Sequence, residues 1–214
     1  SMPQWAVPVT ENPALPIGAY SVRELPADVL VLPKGTSHWD PALPVGCASA
    51  RRKMQFQQLY PEAVIQPVRG NVLTRLDKLD SGEYGALILA EAGLKRLGLS
   101  DRISYRFSPE ELVPAAGQGI LAIQTRAGEY ADLLARLNSP DGALCAKTER
   151  QLASLLGGDC SAPVGCHAQL HGTDMTLYGF SGIGGVPRYG SVQGNRNDAD
   201  LLVQQLASKL TITE

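Results

Sequence analysis

Five consecutive apolar residues, Ala86-Leu87-Ile88-Leu89-Ala90, run without a polar interruption and lead straight into a short helical pattern over 91–97 that Gly98 stops. A strand with one wet face would alternate. An unbroken run of this length fits a strand covered on both faces, and the helix that follows supplies one cover. Asp28-Val29-Leu30-Val31-Leu32 repeats the pattern and is closed by Pro33-Lys34-Gly35. Residues 63–68 read as a further strand, and Arg69-Gly70-Asn71 turns from it into a helix over 72–79. Alternating strands and helices predict an α/β fold with a largely parallel sheet.

The remaining elements divide in two. Residues 3–16 carry Pro3, Pro8, Pro13 and Pro16 and read as an irregular lead-in. Strands are expected at 17–22, at Val45-Gly46-Cys47, over 101–107 and over 120–124. Helices are expected over 49–59, 129–137 and 142–156, the last started by Ser139-Pro140-Asp141. In helix 49–59, Ser49 is the candidate N-cap and Met54, Phe56 and Leu59 the buried stripe; in helix 72–79, Asn71 is the cap and Val72, Leu73, Leu76 and Leu79 the stripe. Beyond residue 160 the pattern changes. Three strands, 164–170, 176–181 and 188–192, are joined by short Gly-rich turns and followed by an amphipathic helix over 198–210, with Leu201, Leu202, Leu206 and Leu210 inward. That predicts a small antiparallel sheet under a helix.

Composition excludes several classes. With 44% hydrophobic residues the chain is globular rather than disordered, and its net charge of −2 argues against a nucleic-acid partner. No apolar run approaches membrane-spanning length, so no membrane partner is expected. Cys47, Cys145, Cys160 and Cys166 have no framework spacing, and reduced thiols in a cytoplasmic protein are the simplest reading. Cys47, Cys145 and Cys166 read as small buried hydrophobes. Cys160, Cys166, His167 and His171 could be drawn as a zinc pattern, but the spacing is loose and neighbours on a strand face opposite ways. No metal is expected. Arg96, Arg102 and Arg136 read as solvated charges, as do Asp77, Asp80 and Glu83.

Two stretches suggest chemistry. Helix 49–59 begins with Arg51, Arg52 and Lys53, placed against a dipole that prefers negative charge at that end. Either this is a solvated basic patch, or an external anion resolves the conflict at a helix N-terminus furnished with arginine forks. Arginines outnumber lysines thirteen to six, which suits forked recognition of carboxylates or phosphates. Arg69 ends a strand just before a helix, the edge where open α/β sheets gather ligands. The second stretch, Leu156-Gly157-Gly158-Asp159-Cys160-Ser161-Ala162-Pro163-Val164-Gly165, could present one thiol on a glycine-rich loop stiffened by proline.

Five ordered segments together carry a resemblance. They are Arg69-Gly70-Asn71-Val72 with Thr74-Arg75-Leu76; Lys78 through Tyr84; Ala90 through Leu99; Pro114-Ala115-Ala116-Gly117-Gln118-Gly119; and the Gly-Gly-Asp-Cys-Ser-Ala-Pro-Val-Gly loop. The chain resembles the porphobilinogen deaminase (hydroxymethylbilane synthase) family from about Leu15 onward. The resemblance implies a transferase of heme and tetrapyrrole biosynthesis that condenses four porphobilinogen molecules into linear hydroxymethylbilane, releasing ammonia. It implies a dipyrromethane cofactor held through a cysteine thioether, and Cys160 matches that cysteine. Arg51, Arg52, Ser49, Gln118 and Gly119 match cofactor-binding positions, and Arg69 and Arg75 substrate-binding ones. Partners implied are porphobilinogen and the growing polypyrrole. Each pyrrole carries two carboxylates, which moves helix 49–59 from the solvated-patch reading to the anion site.

The same resemblance implies a periplasmic-binding-protein-like, mostly parallel sheet domain followed by a small α+β domain. It divides the chain into a lead-in (1–16), the second family domain (17–107), a return segment of the first domain (108–140) and a C-terminal domain with the cysteine loop (141–214). Most of the first domain, with its catalytic aspartate, has no counterpart here, so no catalytic residue is assigned and the chain alone is expected to be inactive. A noncatalytic carboxylate-binding fragment, or a subunit that joins the missing domain or a second copy, is the alternative. One departure lies in the family's Arg-Glu-Asp-Pro-Arg-Asp, which reads Arg23-Glu24-Leu25-Pro26-Ala27-Asp28 here.

Overall fold

The computed structural model describes residues 13–158 and 161–211. The chain begins with β1 (Ile17–Tyr20), β2 (Asp28–Val31) and β3 (Val45–Gly46), followed by α1 (Ala50–Leu59). Next come β4 (Ile65–Gln66), α2 (Val72–Asp80), β5 (Ala86–Ala90), α3 (Glu91–Arg96) and β6 (Tyr105–Arg106). The second half holds β7 (Ala122–Gln124), α4 (Ala131–Leu137), α5 (Pro140–Leu155), β8 (Val164–His171), β9 (Asp174–Ser181), β10 (Arg188–Asn195) and α6 (Ala199–Leu210). The described residues form two compact units, one of Leu25–Pro114 and one that joins residues 13–24 with those from Ala115 onward.

The first unit is built on a five-stranded sheet in the order β4-β3-β5-β2-β6. β3 pairs in parallel with β4 and β5, while β2 pairs antiparallel with β5 and β6. Four strands therefore run one way and β2 alone runs against them, so the sheet is mixed, with the expected parallel part at the β4-β3-β5 side. The unbroken apolar run is central: Ala86, Leu87, Ile88 and Leu89 are all buried. Its two faces feed two clusters, Leu87 and Leu89 with Leu76, Leu79 and Leu94, and Ala86 and Ile88 with Phe56, Phe107 and Leu112. The expected strand over 101–107 is shorter than its pattern. A 3₁₀ turn takes Ser100–Arg102, and only β6 pairs with the sheet.

The second unit holds two sheets. Strands β10-β9-β8 form a fully antiparallel meander, and β1 pairs antiparallel with β7. α5 and α6 supply Leu152, Leu202, Leu206 and Leu210 to a core completed by Cys166, Met175 and Leu177. α5 starts as its sequence suggests: Pro140 opens the helix and the Ser139 side chain accepts a hydrogen bond from the Gly142 amide.

Three expected stripes need correction. α1 buries Arg51, Gln55 and Phe56, while Leu59 is exposed and Met54 half-buried. The polar pair can be buried because every partner it needs is inside, as described below. Leu73 is exposed on α2, and Leu201 is exposed on α6, where Val203 and Ala207 take the core positions instead. Arg102 also departs from its solvated reading. Its guanidinium forks onto both oxygens of Asp80 at 2.8 and 3.1 Å, and the arginine side chain is 11% exposed. No helix among the described residues is long and apolar enough to cross a membrane.

Candidate carboxylate-binding site

β3 and β4 are neighbouring parallel strands, and a helix N-terminus follows the C-terminal end of each. The Cys47 amide donates to the Gln66 carbonyl at 2.9 Å, which keeps the two departing loops side by side. Ser49 caps α1, its hydroxyl accepting from the Arg52 amide at 3.4 Å. Asn71 caps α2 more closely: its side-chain oxygen accepts from the Thr74 amide at 2.9 Å and the Thr74 hydroxyl at 3.0 Å. Neither helix has an acidic residue in its first turn. Both positive dipole ends therefore lack their usual compensation, and α1 adds cations to its own. Replacing Asn71 with alanine is expected to cost about 1 kcal/mol of stability, read as a lower urea midpoint of the whole chain.

The arginines at this edge are not equivalent. Arg51 is 3% exposed and points inward, donating through Nη1 to Asp28 Oδ2 at 2.6 Å and to the Val113 carbonyl at 2.7 Å. Arg52 reaches the other oxygen of the same carboxylate, Asp28 Oδ1, through Nε and Nη2, both at 2.8 Å. Arg75 is half-buried on α2 and its Nε donates to the Gly70 carbonyl at 2.8 Å. Burial holds its pKa below the usual arginine value, and the nearby Arg52 guanidinium adds to the effect. Arg69 is exposed on the loop between β4 and α2. Gly70 turns that loop with φ at 116°, a conformation open to glycine.

Ser49, Arg52 and Arg75 thus come together at one sheet edge, with Arg69 on the loop beside them, whereas Arg51 is turned into the core. Cys47, at the foot of α1, is buried, and burial raises its pKa despite Arg52 and Arg51 nearby. Cys145 and Cys166 are also buried as expected, and burial pushes the Cys145 thiol up to about 11. Cys160 lies outside the described residues.

Gln118 and Gly119 belong to the second unit. They sit in a tight turn where the Gln118 amide donates to the Ala115 carbonyl at 3.0 Å and Gly119 takes φ of 85°. The turn is anchored by Glu149 of α5, a fully buried carboxylate. Its Oε2 accepts from the Gly117 amide at 2.6 Å and from Arg23 Nη2 at 2.6 Å, and its Oε1 from the Ala168 amide at 2.7 Å. Arg23 also reaches His167 Nδ1 at 3.1 Å. A guanidinium only donates, so Nδ1 offers its lone pair. Cys166 faces the apolar core and His167 the ion pair, the opposite orientations that made a joint zinc site implausible.

Sequence reasoning missed Asp28, Gln55, Arg23 and Glu149 as organising residues. One signal was present. Of Arg23-Glu24-Leu25-Pro26-Ala27-Asp28, the family's arginine and final aspartate are retained, and these two carry buried ion pairs, one in each unit.

The donor set at the α1–α2 edge suits a ligand with several carboxylates, as the dipyrromethane of the resembled family has. Comparison with known proteins agrees. Residues 5–132 match the family model described as porphobilinogen deaminase, dipyromethane cofactor binding domain, and residues 143–211 match porphobilinogen deaminase, C-terminal domain. The chain is 44% identical to the porphobilinogen deaminase of Acetivibrio thermocellus, over 95% of this chain and 70% of that one. It is 41% identical to that of Thiobacillus denitrificans, over 95% of this chain and 69% of the relative. A solved structure of an arginine-specific periplasmic binding protein from Salmonella typhimurium is 22% identical, covering 58% of this chain and 61% of that chain with a TM-score of 0.33, a likeness too slight to bear on the fold. With both family models matched in order and relatives aligned over nearly its whole described length, the chain belongs to the porphobilinogen deaminase family.

Proposed function

We propose that the Leu25–Pro114 unit binds the acetate and propionate groups of porphobilinogen-derived pyrroles at the α1–α2 edge, with Arg52, Arg75 and Arg69 as the forks. The observation that carries this reading is the crowding of like charge there: two helix N-termini without acids, with Arg52 near enough to Arg75 to disfavour its charge. An arriving carboxylate relieves both conflicts at once. Ser49 contributes by fixing the start of α1, and Arg51 by fixing its neighbour rather than by touching ligand.

The family acts in tetrapyrrole biosynthesis, and the further steps of the reading follow from it. Bound dipyrromethane supplies the primer to which porphobilinogen units are joined, each joining releasing ammonia. Cys160 is its attachment point through a thioether, since a thiolate is the nucleophile a pyrrole methylene requires. Gln118 and Gly119 are cofactor-binding positions in this reading. The return segment 108–140 and the cysteine-bearing region 141–214 keep separate roles in this reading, and the protein works in the cytoplasm.

Intact mass, combined with an aldehyde colour test for pyrroles, checks the attachment. The purified chain is expected to carry the added mass of two pyrrole units, and Cys160→Ser to lack it completely. Two-pyrrole mass retained in Cys160→Ser would move the attachment to another residue.

A further inference from the structure

We propose that Asp28 is the positioning residue of the carboxylate-binding edge, dividing its two oxygens between Arg51 and Arg52 so that Arg52 alone of the pair meets ligand. The inference rests on the carboxylate-binding reading and sharpens it by separating two adjacent arginines that sequence treats alike.

Asp28 is the first residue of β2 and is wholly buried. A carboxylate without solvent requires partners for both oxygens. Oδ2 receives Arg51 Nη1, and Oδ1 receives Nε and Nη2 of Arg52. Arg51 is committed further. The same Nη1 donates to the Val113 carbonyl, and Gln55, one turn along α1, closes the arrangement from both sides. Its Nε2 donates to the Val113 carbonyl at 3.1 Å, and its Oε1 accepts from the Val113 amide at 2.8 Å. The Arg51 side chain is left 4% exposed, against 13% for Arg52.

The order of support is therefore Val113 and Gln55 to Arg51, Arg51 to Asp28, and Asp28 to Arg52. A guanidinium held through its Nε side by one carboxylate has its plane fixed, and a planar fork must be aligned to receive a second carboxylate. Charge bookkeeping agrees. Two guanidinium charges against one buried carboxylate leave the arginine pair with a single net positive charge, which suits one carboxylate arm of a pyrrole. A second arm falls to Arg75 and Arg69 on the neighbouring loop and helix.

The test uses the full 214-residue chain and a pyrrole carrying one acetate and one propionate but no aminomethyl group, so that it binds without condensing. Arginine Nε–H resonances are followed by NMR during titration. The expected result is that the Arg52 Nε–H shifts yet stays protected from water exchange at saturation, while the Arg51 Nε–H does not shift. Faster exchange of the Arg52 Nε–H on binding would mean that ligand displaces Asp28, and a shift of Arg51 as large as that of Arg52 would mean that both arginines meet ligand; either overturns the proposal. A titration that moves no arginine at this edge removes the carboxylate-binding reading itself, and with it the proposal.

Asp28→Asn gives an independent reading. Its affinity for the same pyrrole should fall at least about tenfold with the circular dichroism of the folded chain retained, while unchanged affinity in a folded variant overturns the role. Should Asp28→Asn not fold, the wild-type exchange measurement decides alone.

Discussion

Glu149→Ala is expected to destabilise the chain by about 3–5 kcal/mol, read as a large fall in the urea midpoint. Glu149 ties three separate pieces of the second unit to α5: Arg23 on the segment after β1, the Gly117 amide of the 115–119 turn, and the Ala168 amide of β8. Its removal leaves two backbone amides and a guanidinium that is 15% exposed without their acceptor. A pH signature accompanies it. Burial pushes the Glu149 carboxyl up, but its partners, the Arg23 guanidinium first among them, outweigh burial and hold it below its ordinary value of 4.5. A group with a depressed folded pKa binds its proton more readily in the unfolded chain. Its contribution is therefore complete above about 4.5 and is lost as pH falls below that value through the folded pKa. Urea midpoints measured from pH 6 downward should fall less steeply for Glu149→Ala than for the wild type. Parallel pH profiles would rule out the ion pair as the cause.

The distance between partners explains what sequence could and could not reveal. The alternation of elements was legible because each strand or helix announces itself within a dozen residues. Asn71 and Ser49 were legible as caps for the same reason. So was the crowding of cations at the start of α1, because charge set against a helix dipole is a local contradiction. The buried face of α1 was not legible, since Arg51 and Gln55 go inward only because Asp28 and Val113 are there to receive them. Those partners lie 23 and 62 residues away in sequence for Arg51. Arg23 and Glu149 are 126 residues apart. Hydrophobic periodicity assigns polar residues outward by default, and it fails where a polar network is satisfied inside. The exposed Leu73 and Leu201 are the converse case: each extends an apolar stripe by one position beyond the width of the surface that covers it. The reversed direction of β2 was missed for a different reason. After Asp28, the run in β2 is as apolar as that in β5, and strand direction leaves no mark on a buried run.

Gly119→Ala should be the most damaging single methyl in the 115–119 turn, costing about 3 kcal/mol. Two penalties combine. At φ of 85° an alanine pays about 1–2 kcal/mol for the left-handed conformation alone. Its Cβ would also stand 2.5 Å from the Glu24 carbonyl oxygen and 3.2 Å from its carbon. That oxygen belongs to backbone, and the backbone is held. The Glu24 amide donates to the Gly119 carbonyl at 2.8 Å, and the Ser21 amide to the Leu121 carbonyl at 2.9 Å, so the two segments cannot part without breaking both. Gly117 supplies the control. Its φ of 73° carries the same conformational penalty, yet a Cβ there meets nothing within 4 Å. Gly117→Ala should therefore lose only the first part, and the gap between the two urea midpoints measures the close approach at Gly119. Equal losses would show that the approach to Glu24 relaxes freely. The family resemblance implies a cofactor-binding role for Gly119, but this glycine is already required by the chain's own backbone. A loss of function in Gly119→Ala must therefore be read against its loss of stability before any of it is assigned to ligand contact.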